Sequence, residues 1–199
     1  MRYARPIERL IKAFTLLPGI GEKSAARLAL FILNSGKGPA GELQAALQGV
    51  KDGISLCSLC MAFSEADPCA VCSSAGRDST TVCVVSDFKD MVAIESSDNY
   101  RGTYHILHGN LAPLKGVGPD EIRIKELLRR AESNGIKEVI LATGFDAEGE
   151  ATSSYIAGLL RQYGIRLTRL ASGVPVGSYV EFMDPATLSR AMEGRRAVS

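Results

Sequence analysis

Four of the five cysteines form two Cys-x-x-Cys pairs, a type and spacing of residue that predicts metal chemistry. The pairs are Cys57 with Cys60 and Cys69 with Cys72, separated by eight residues. Each pair can present two thiolates from one tight turn, and four sulfurs complete the closed tetrahedral shell of a structural Zn²⁺ site. The pattern therefore predicts one zinc ion that holds shape and performs no chemistry. The alternatives are two disulfides or four unrelated thiols.

Composition narrows the class of protein. The formal net charge is +1 and the pI is near 7.6, so any affinity for DNA has to come from a local patch. The fifth cysteine, Cys83, lies in an apolar run and is predicted to be a buried small hydrophobic residue. A metal-type cysteine pattern without a signal peptide predicts a cytoplasmic protein. The apolar stretch 28–33 is too short to cross a bilayer, so no membrane association is expected.

The N-terminal part is predicted to be helical. Apolar residues recur at three- and four-residue steps over 7–17, which is typical of an amphipathic helix that ends before Pro18. A second helix is predicted over 22–33, and a third is predicted to start at Pro39.

The turn between the first two helices is a candidate site for nucleic acid. Gly19 and Gly21 allow a sharp bend and a close approach of backbone N–H groups to a phosphate oxygen. Lys23 and Arg27, four residues apart on one helical face, could reach the flanking phosphates. The run 17–29 resembles the helix-hairpin-helix motif of DNA-repair proteins. The alternative is a plain helix connector, and a P-loop is disfavoured because a helix precedes the turn.

A single hairpin of this kind touches few phosphates. Its affinity alone is therefore expected to be weak and strongly dependent on salt. Useful binding would need several copies of the chain acting together.

The C-terminal part is predicted to alternate strands and helices, which indicates a parallel sheet covered on both faces. Its functional edge should lie at the carboxyl ends of the strands. The predicted strands are 80–86, 103–107, 137–143 and 165–170, and the helices are 87–95, 120–134 and 147–163. An extended arm over 174–182 and a terminal helix over 185–194 are expected to follow.

Three acidic residues, Asp146, Glu148 and Glu150, follow the third predicted strand. This loop resembles the acidic loop of the Toprim domain, whose catalytic members use a glutamate after the first strand and an aspartate pair that holds Mg²⁺. Here Ser86 stands where that glutamate would be, and Gly144 stands where the first aspartate would be. The site is therefore predicted to lack nuclease or topoisomerase activity. A weak Mg²⁺ site, an acidic patch for a basic partner and a solvated loop remain as alternatives.

Two further groups of polar residues are of types that can take part in catalysis or metal binding. Asp87 and Asp90 are close enough in sequence to substitute for the missing glutamate. His105 and His108 would point to opposite sides of a strand, which disfavours joint metal binding and predicts structural roles.

The order of these parts resembles the RecR family of bacterial recombination mediators over nearly the whole chain. The resemblance implies an α+β multidomain fold with a helix-hairpin-helix domain, a four-cysteine zinc finger, a Rossmann-like Toprim domain and a C-terminal arm with a helix for oligomer contact. The helix-hairpin-helix domain is expected over 1–56, the zinc finger over 57–78, the Toprim domain over 79–172 and the C-terminal arm with its helix over 173–199. Besides the hairpin and the cysteines, it is carried by the segments YHILHG from Tyr104, LAPL from Leu111, GVGP from Gly116, EGEAT from Glu148 and GVPVG from Gly173. Family members often carry Asn-Pro where this chain has Gly144-Phe145.

The resemblance also implies a function. Members of the family are DNA-binding, non-enzymatic factors of recombinational repair that act at the nucleoid. They work with RecO, and often RecF, to load RecA onto DNA coated by single-stranded-DNA-binding protein. They assemble into ring-like tetramers that can encircle DNA. The alternatives are a Mg²⁺-dependent Toprim nuclease or primase and a docking module whose acidic loop binds RecO.

Overall fold

A computed structural model describes residues 3–133 and 135–197 of the chain. It divides into two compact units, residues 1–54 and 55–199. Asn134, at which the sequence predicts a helix to end, lies outside the described residues.

The first unit is made of three helices, as predicted. They are α1 Arg5–Thr15, α2 Glu22–Asn34 and α3 Lys37–Gly53. The third helix begins two residues before the predicted start at Pro39, with Gly36 as its N-cap. The first N–H groups of a helix have no partner within it, so a proline is tolerated anywhere in the first turn. The two residues before Pro39 are therefore helical as well.

The second unit opens at Ser55 and contains the four-cysteine segment that is predicted to be a finger over 57–78. Two short antiparallel strands, β1 Ser55–Leu56 and β2 Phe63–Ser64, flank its first cysteine pair. The second pair lies at the short helix α4 Ala70–Ser73. A backbone hydrogen bond of 2.8 Å from Cys57 to Ala62 closes the turn between the strands.

A four-stranded parallel sheet follows, as the alternating pattern predicts. Its strands are β3 Asp78–Val85, β4 Gly102–Ile106, β5 Glu138–Ala142 and β6 Arg166–Arg169. They lie in the order β4-β3-β5-β6, with every neighbouring pair parallel. The order reverses between β3 and β5, and in such sheets this leaves a crevice at the carboxyl ends.

Helices and the finger cover the two faces of the sheet. The helices are α5 Phe88–Ser96, α6 Ile124–Glu132 and α7 Ala147–Leu160. Because side chains alternate along a strand, Val82 and Val84 pack with α6 and α7, whereas Cys83 packs with α5 and the finger. Cys83 is buried, as predicted, and burial raises the pKa of its thiol to about 12.

The helix predicted from residue 120 begins later. The segment before α6 is held to the end of β4, since the Arg123 N–H donates to the Leu107 carbonyl at 2.9 Å. Ile122 is buried in the core beneath it. These tertiary contacts give the segment a turn conformation, and α6 starts at Ile124.

The predicted extended arm over 174–182 is wrong in its conformation. Gly177 adopts a left-handed φ of +85°, and the Ser178 N–H donates to the Pro175 carbonyl at 3.2 Å, which closes a turn. A 3₁₀ helix, Val180–Phe182, follows before the terminal helix α8 Pro185–Glu193. Glycine makes the left-handed turn accessible, and this ends the extended run.

The two histidines make separate contacts, consistent with the predicted structural roles. His105 Nε2 lies 2.7 Å from the carbonyl oxygen of Arg123, so that nitrogen carries the proton. Its Nδ1 is buried and has no hydrogen-bond partner among the residues that the structure describes. Burial lowers the pKa of His105 from 6.5 to about 4, although its hydrogen bond to Arg123 opposes the shift. His108 instead contacts the Met61 carbonyl in the finger.

His105 is expected to make the fold sensitive to acid. The unfolded chain binds a proton near pH 6.5 that the folded chain resists down to about pH 4. Stability is therefore lost as the pH falls, and going from pH 7.5 to pH 5 should remove about 2 kcal/mol of unfolding free energy through this residue. The glutamine of His105→Gln does not titrate. Between pH 7.5 and pH 5 this variant should therefore lose about 2 kcal/mol less unfolding free energy than the wild type, as measured by urea unfolding at both pH values. Equal losses in the two proteins would contradict the assignment.

Candidate metal centre and nucleic-acid interface

The four paired cysteines form a cluster able to bind a metal ion. The Sγ atoms of Cys57, Cys60, Cys69 and Cys72 all lie within 4.8 Å of one another. The Cys60 and Cys69 sulfurs are 3.6 Å apart, whereas a disulfide requires about 2.0 Å. A tetrahedron with metal–sulfur bonds of about 2.3 Å has edges of about 3.8 Å. The donor set therefore fits a tetrahedral metal ion, and all four cysteines are free thiols.

Backbone N–H groups contact two of these sulfurs, and they favour the thiolate of Cys57. The Cys69 N–H donates to Cys57 Sγ at 3.4 Å, and the Cys72 N–H donates to Cys69 Sγ at 3.5 Å. Burial alone would raise the pKa of Cys57, but backbone N–H groups, led by that of Cys69, lower it to about 7. For Cys60, a hydrogen bond with Cys72 and burial raise the pKa. Neighbouring thiolates repel one another, so a cation is needed to hold all four deprotonated.

The glycine turn of the first unit is exposed between α1 and α2. Gly19 has a φ of +79°, and a Cβ on it would meet no atom within 4 Å. Gly21 is the N-cap of α2. Within the described part of the chain, neither glycine N–H donates to a backbone or side-chain acceptor. These two N–H groups and the positive end of α2 can therefore receive an anion.

Lys23 and Arg27 lie exposed on the helix that follows this turn. Both line a groove of about 880 Å³ between α1 and α2, together with Lys12. Glu8 and Glu22 line the same groove, so the basic excess there is small. A phosphate chain that followed this face would meet the glycine turn first and then the two basic side chains.

The three acidic residues after β5 each have a partner within the second unit. Asp146 caps α7 by accepting from the Gly149 N–H at 2.8 Å. Glu148 pairs with Lys115 at 2.8 Å. Among the described residues their carboxylates do not converge as a metal-binding group of three. This loop is therefore not arranged as a preformed Mg²⁺ cage.

Glu150, the third of these residues, connects the loop to the C-terminal helix. It pairs with Arg169 of β6 and lies 3.5 Å from Arg190 of α8. The pairing with Arg169 lowers the pKa of Glu150. Phe145 lies beneath the same two arginines, with guanidinium carbons 5.0 and 5.8 Å from its ring centroid. The loop thus fixes α8 against the edge of the sheet.

Catalytic Toprim members carry a glutamate after the first strand of the sheet. Here Ser86 stands at that position and makes an uncharged hydrogen bond. Ser86 Oγ lies 2.6 Å from Asn110 Oδ1. Asp87 and Asp90, the candidate substitutes, form a capping box at the start of α5. Their carboxylates accept backbone N–H groups there. Both aspartates therefore have a structural use.

These residues surround a crevice of about 460 Å³ at the carboxyl ends of β3 and β5. It is bordered by Ser86, Asp87, Lys89, Asp90, Gly109 and Asn110 on the β3 and α5 side, and by Gly144, Phe145 and Leu170 on the other. The sequence predicts a functional edge at these strand ends, but it does not predict the contact of Asn110 with Ser86 or those of Arg169 and Arg190 with Glu150. No local pattern marks them, because they come from distant segments of the chain.

No helix in the described ranges 3–133 and 135–197 is both long and apolar enough to span a membrane.

Comparison with known proteins identifies three parts of the chain. Residues 7–51 match the family model described as RecR, helix-hairpin-helix, and residues 173–196 match the model described as RecR, C-terminal. Residues 80–171 match the Toprim domain model. These matches confirm the predicted helix-hairpin-helix and Toprim folds.

Curated relatives extend the similarity to nearly the entire sequence. Two proteins named Recombination protein RecR, from Anaeromyxobacter sp. (strain Fw109-5) and Syntrophotalea carbinolica, are 49% and 46% identical over 196 residues. Those alignments cover 98% of this chain and 99% and 98% of the two relatives. The relative of the same name from Anaeromyxobacter dehalogenans is 48% identical over 196 residues. With its helix-hairpin-helix turn, four-cysteine cluster and Toprim sheet in this order, the chain belongs to the RecR family of recombination proteins.

Proposed function

We propose that this protein is a non-enzymatic, DNA-binding mediator of recombinational repair. The observation that carries the proposal is the exposed glycine turn of the first unit, where Gly19 and Gly21 present N–H groups ahead of Lys23 and Arg27. Such a site contacts phosphates and not base edges, so binding is independent of sequence. The DNA is single-stranded, double-stranded or both.

The parts of the chain divide this work. Residues 1–56 bind DNA, 57–78 form the finger, 79–172 form the Toprim domain and 173–199 make oligomer contacts. The finger holds one zinc ion through its four clustered cysteines, since a closed all-sulfur shell favours Zn²⁺ over the harder Mg²⁺. When bound, the zinc supplies folding free energy and no catalysis.

Three features of the Toprim crevice favour a role without bond cleavage. A serine, Ser86, replaces the glutamate that would transfer a proton. Gly144 replaces the first metal-binding aspartate. The remaining acids are engaged in capping and ion pairs, which leaves Mg²⁺ no ready-made cage. In this proposal the acidic loop serves to position α8 and to face a basic partner.

Exposed apolar side chains in each unit support self-assembly. Large apolar residues more than half exposed include Phe31, Leu33, Leu47 and Val50 in the first unit and Val176, Tyr179, Phe182 and Met192 in the second. Apolar patches of this kind are typical of interfaces. We propose a clamp-like tetramer in which several weak hairpins act on one DNA molecule. It would act with RecO, and with RecF where present, to promote RecA loading on DNA coated by single-stranded-DNA-binding protein.

Native mass spectrometry of the full chain, with and without RecO and a short DNA, tests the proposal. We expect tetramers that carry one zinc ion per subunit and retain the DNA at low ionic strength. We also expect RecO to add to the tetramer in a defined ratio, because a mediator has to engage its partner directly. The spectra report subunit number, zinc count and partner stoichiometry together.

Two results would overturn the proposal. A chain that stays monomeric and fails to retain DNA at low salt would exclude a clamp. Mg²⁺-dependent cleavage or strand synthesis that disappears in Glu148→Gln would assign the protein to the catalytic Toprim enzymes instead.

A further inference from the structure

The turn between β1 and β2, which we call the knuckle (residues 57–62), is hydrogen-bonded to the end of β4. The Ile106 N–H donates to the Cys60 carbonyl at 2.9 Å. His108 Nε2 lies 2.7 Å from the Met61 carbonyl oxygen, so this nitrogen carries a proton and donates it. Both acceptors belong to the knuckle that supplies the first cysteine pair.

The backbone is bent on both sides of the His108 contact. His108 has a φ of +58° and Met61 has a φ of +63°, the left-handed region that non-glycine residues rarely adopt. Such conformations persist only where surrounding contacts hold them. The hydrogen bond between the two residues is one such contact, and it ties two unfavourable bends together.

One wall of the crevice begins immediately after His108. The Gly109 N–H donates to the Ser86 carbonyl at 2.9 Å, and Asn110 Oδ1 lies 2.6 Å from Ser86 Oγ. Gly109, Asn110 and Ser86 all line the crevice. The orientation of the chain at His108 therefore sets the position of this wall.

The α5 part of the same side of the crevice is reached through aromatic contacts. Phe63 of β2 lies edge-on to the His108 ring, with centroids 5.2 Å apart, and edge-on to Phe88 at 5.6 Å. Phe88 is the first residue of α5, between Asp87 and Lys89 of the crevice. The knuckle and β2 thus contact two parts of this side of the crevice, the segment after His108 and the start of α5.

We propose that His108 is a positioning residue that couples the four-cysteine metal centre to the Toprim crevice. Loss of the metal releases the knuckle, removes the acceptor from His108 and loosens the β3 and α5 side of the crevice. By thermodynamic linkage, an occupant that orders the crevice raises the affinity for the metal by the same factor. This inference rests on the proposed zinc centre.

Zinc release to a chelator tests the role of His108. His108→Ala removes the donor, and we expect it to bind zinc about 10-fold more weakly than the wild type, as is typical when a group behind a metal ligand is lost, and to release zinc correspondingly faster. His108→Gln retains an N–H donor of similar reach and is expected to restore most of the wild-type rate. Both variants carry a non-glycine residue at the same left-handed position, so their difference reports the hydrogen bond.

His105→Gln is the matched control. His105 is the neighbouring histidine, but its Nε2 contacts the Arg123 carbonyl and not the knuckle. At pH 7.5 this variant is expected to release zinc at the wild-type rate. A faster release equal to that of His108→Ala would show general destabilisation and would overturn the coupling.

Hydrogen exchange on the wild-type chain tests the same coupling without a substitution. Removal of zinc should raise exchange at Gly109 and over 86–90, and leave exchange in β5 and β6 near its zinc-loaded level. Unchanged exchange at the crevice, or an equal rise across the whole sheet, would overturn the inference. A wild-type chain that carries no zinc would contradict the zinc centre itself. A zinc-loaded chain whose hydrogen exchange at the crevice stays the same after zinc removal would contradict the coupling alone.

Discussion

Cys60→Ser is expected to abolish zinc binding and to lower the midpoint of thermal unfolding by roughly 10–15 °C. Cys60 is fully buried, its sulfur lies 3.6 Å from that of Cys69, and its carbonyl accepts a hydrogen bond from Ile106 of β4. A serine hydroxyl stays protonated near neutral pH and cannot replace a thiolate ligand. The finger covers one face of the sheet, so its release would expose part of the core.

Zinc content by elemental analysis and unfolding by circular dichroism measure the two effects. Cys83→Ala is the matched control, since Cys83 is equally buried in the same core but lies outside the metal cluster. It should retain one zinc per chain and lose only about 1 kcal/mol of stability through a small cavity. A Cys60→Ser protein that kept its zinc, or that unfolded at the wild-type temperature, would contradict the structural role of the metal.

The double substitution Lys23→Glu with Arg27→Glu is expected to weaken DNA binding by at least about 100-fold at low salt. Both side chains are exposed on one face of α2, directly after the glycine turn. If the proposed clamp is correct, reversing these two charges replaces attraction to phosphates with repulsion in every subunit. The salt dependence of the remaining affinity should also become shallower, because fewer counterions are released on binding.

Gel shift and fluorescence anisotropy at several salt concentrations measure this loss. Arg5→Glu with Lys51→Glu makes the same change in charge at exposed positions of the same unit but away from the turn. It should reduce binding far less, and both double variants should keep the wild-type helix content and zinc content. An equal loss of DNA affinity in both double variants would show that only net charge matters. Undiminished binding by the Lys23→Glu with Arg27→Glu protein would show that the hairpin does not contact DNA.

The sequence predicted much of the fold because the relevant signals are local. Alternation of apolar strands with helical periods predicted a parallel sheet, and the four strands lie within two residues of their expected bounds. The start of α6 and the conformation of 174–182 were predicted wrongly. In both places a contact or a turn replaces what local propensity favours, as with the hydrogen bond from Arg123 to Leu107.

The contacts of the acidic loop are not predictable from the local sequence. Its carboxylates could be read from the sequence as metal ligands, partner contacts or solvated groups. In the structure Glu150 pairs with Arg169 and Arg190, and Phe145 lies under both arginines. Nothing in the spacing of these residues predicts the pairing, since it depends on where β6 and α8 come to lie.

The amino-acid sequence alone determined which chemistry the chain can perform: thiolates spaced for one metal ion, a glycine turn ahead of two basic residues, and a Toprim edge without its catalytic glutamate. Those features are short, and their meaning follows from residue type and spacing. Tertiary structure alone decided which distant groups meet, such as His108 with Met61 at the knuckle and Ser86 with Asn110 at the crevice. The reason is physical: the strand order β4-β3-β5-β6 brings distant segments to one edge, and local periodicity does not encode that order.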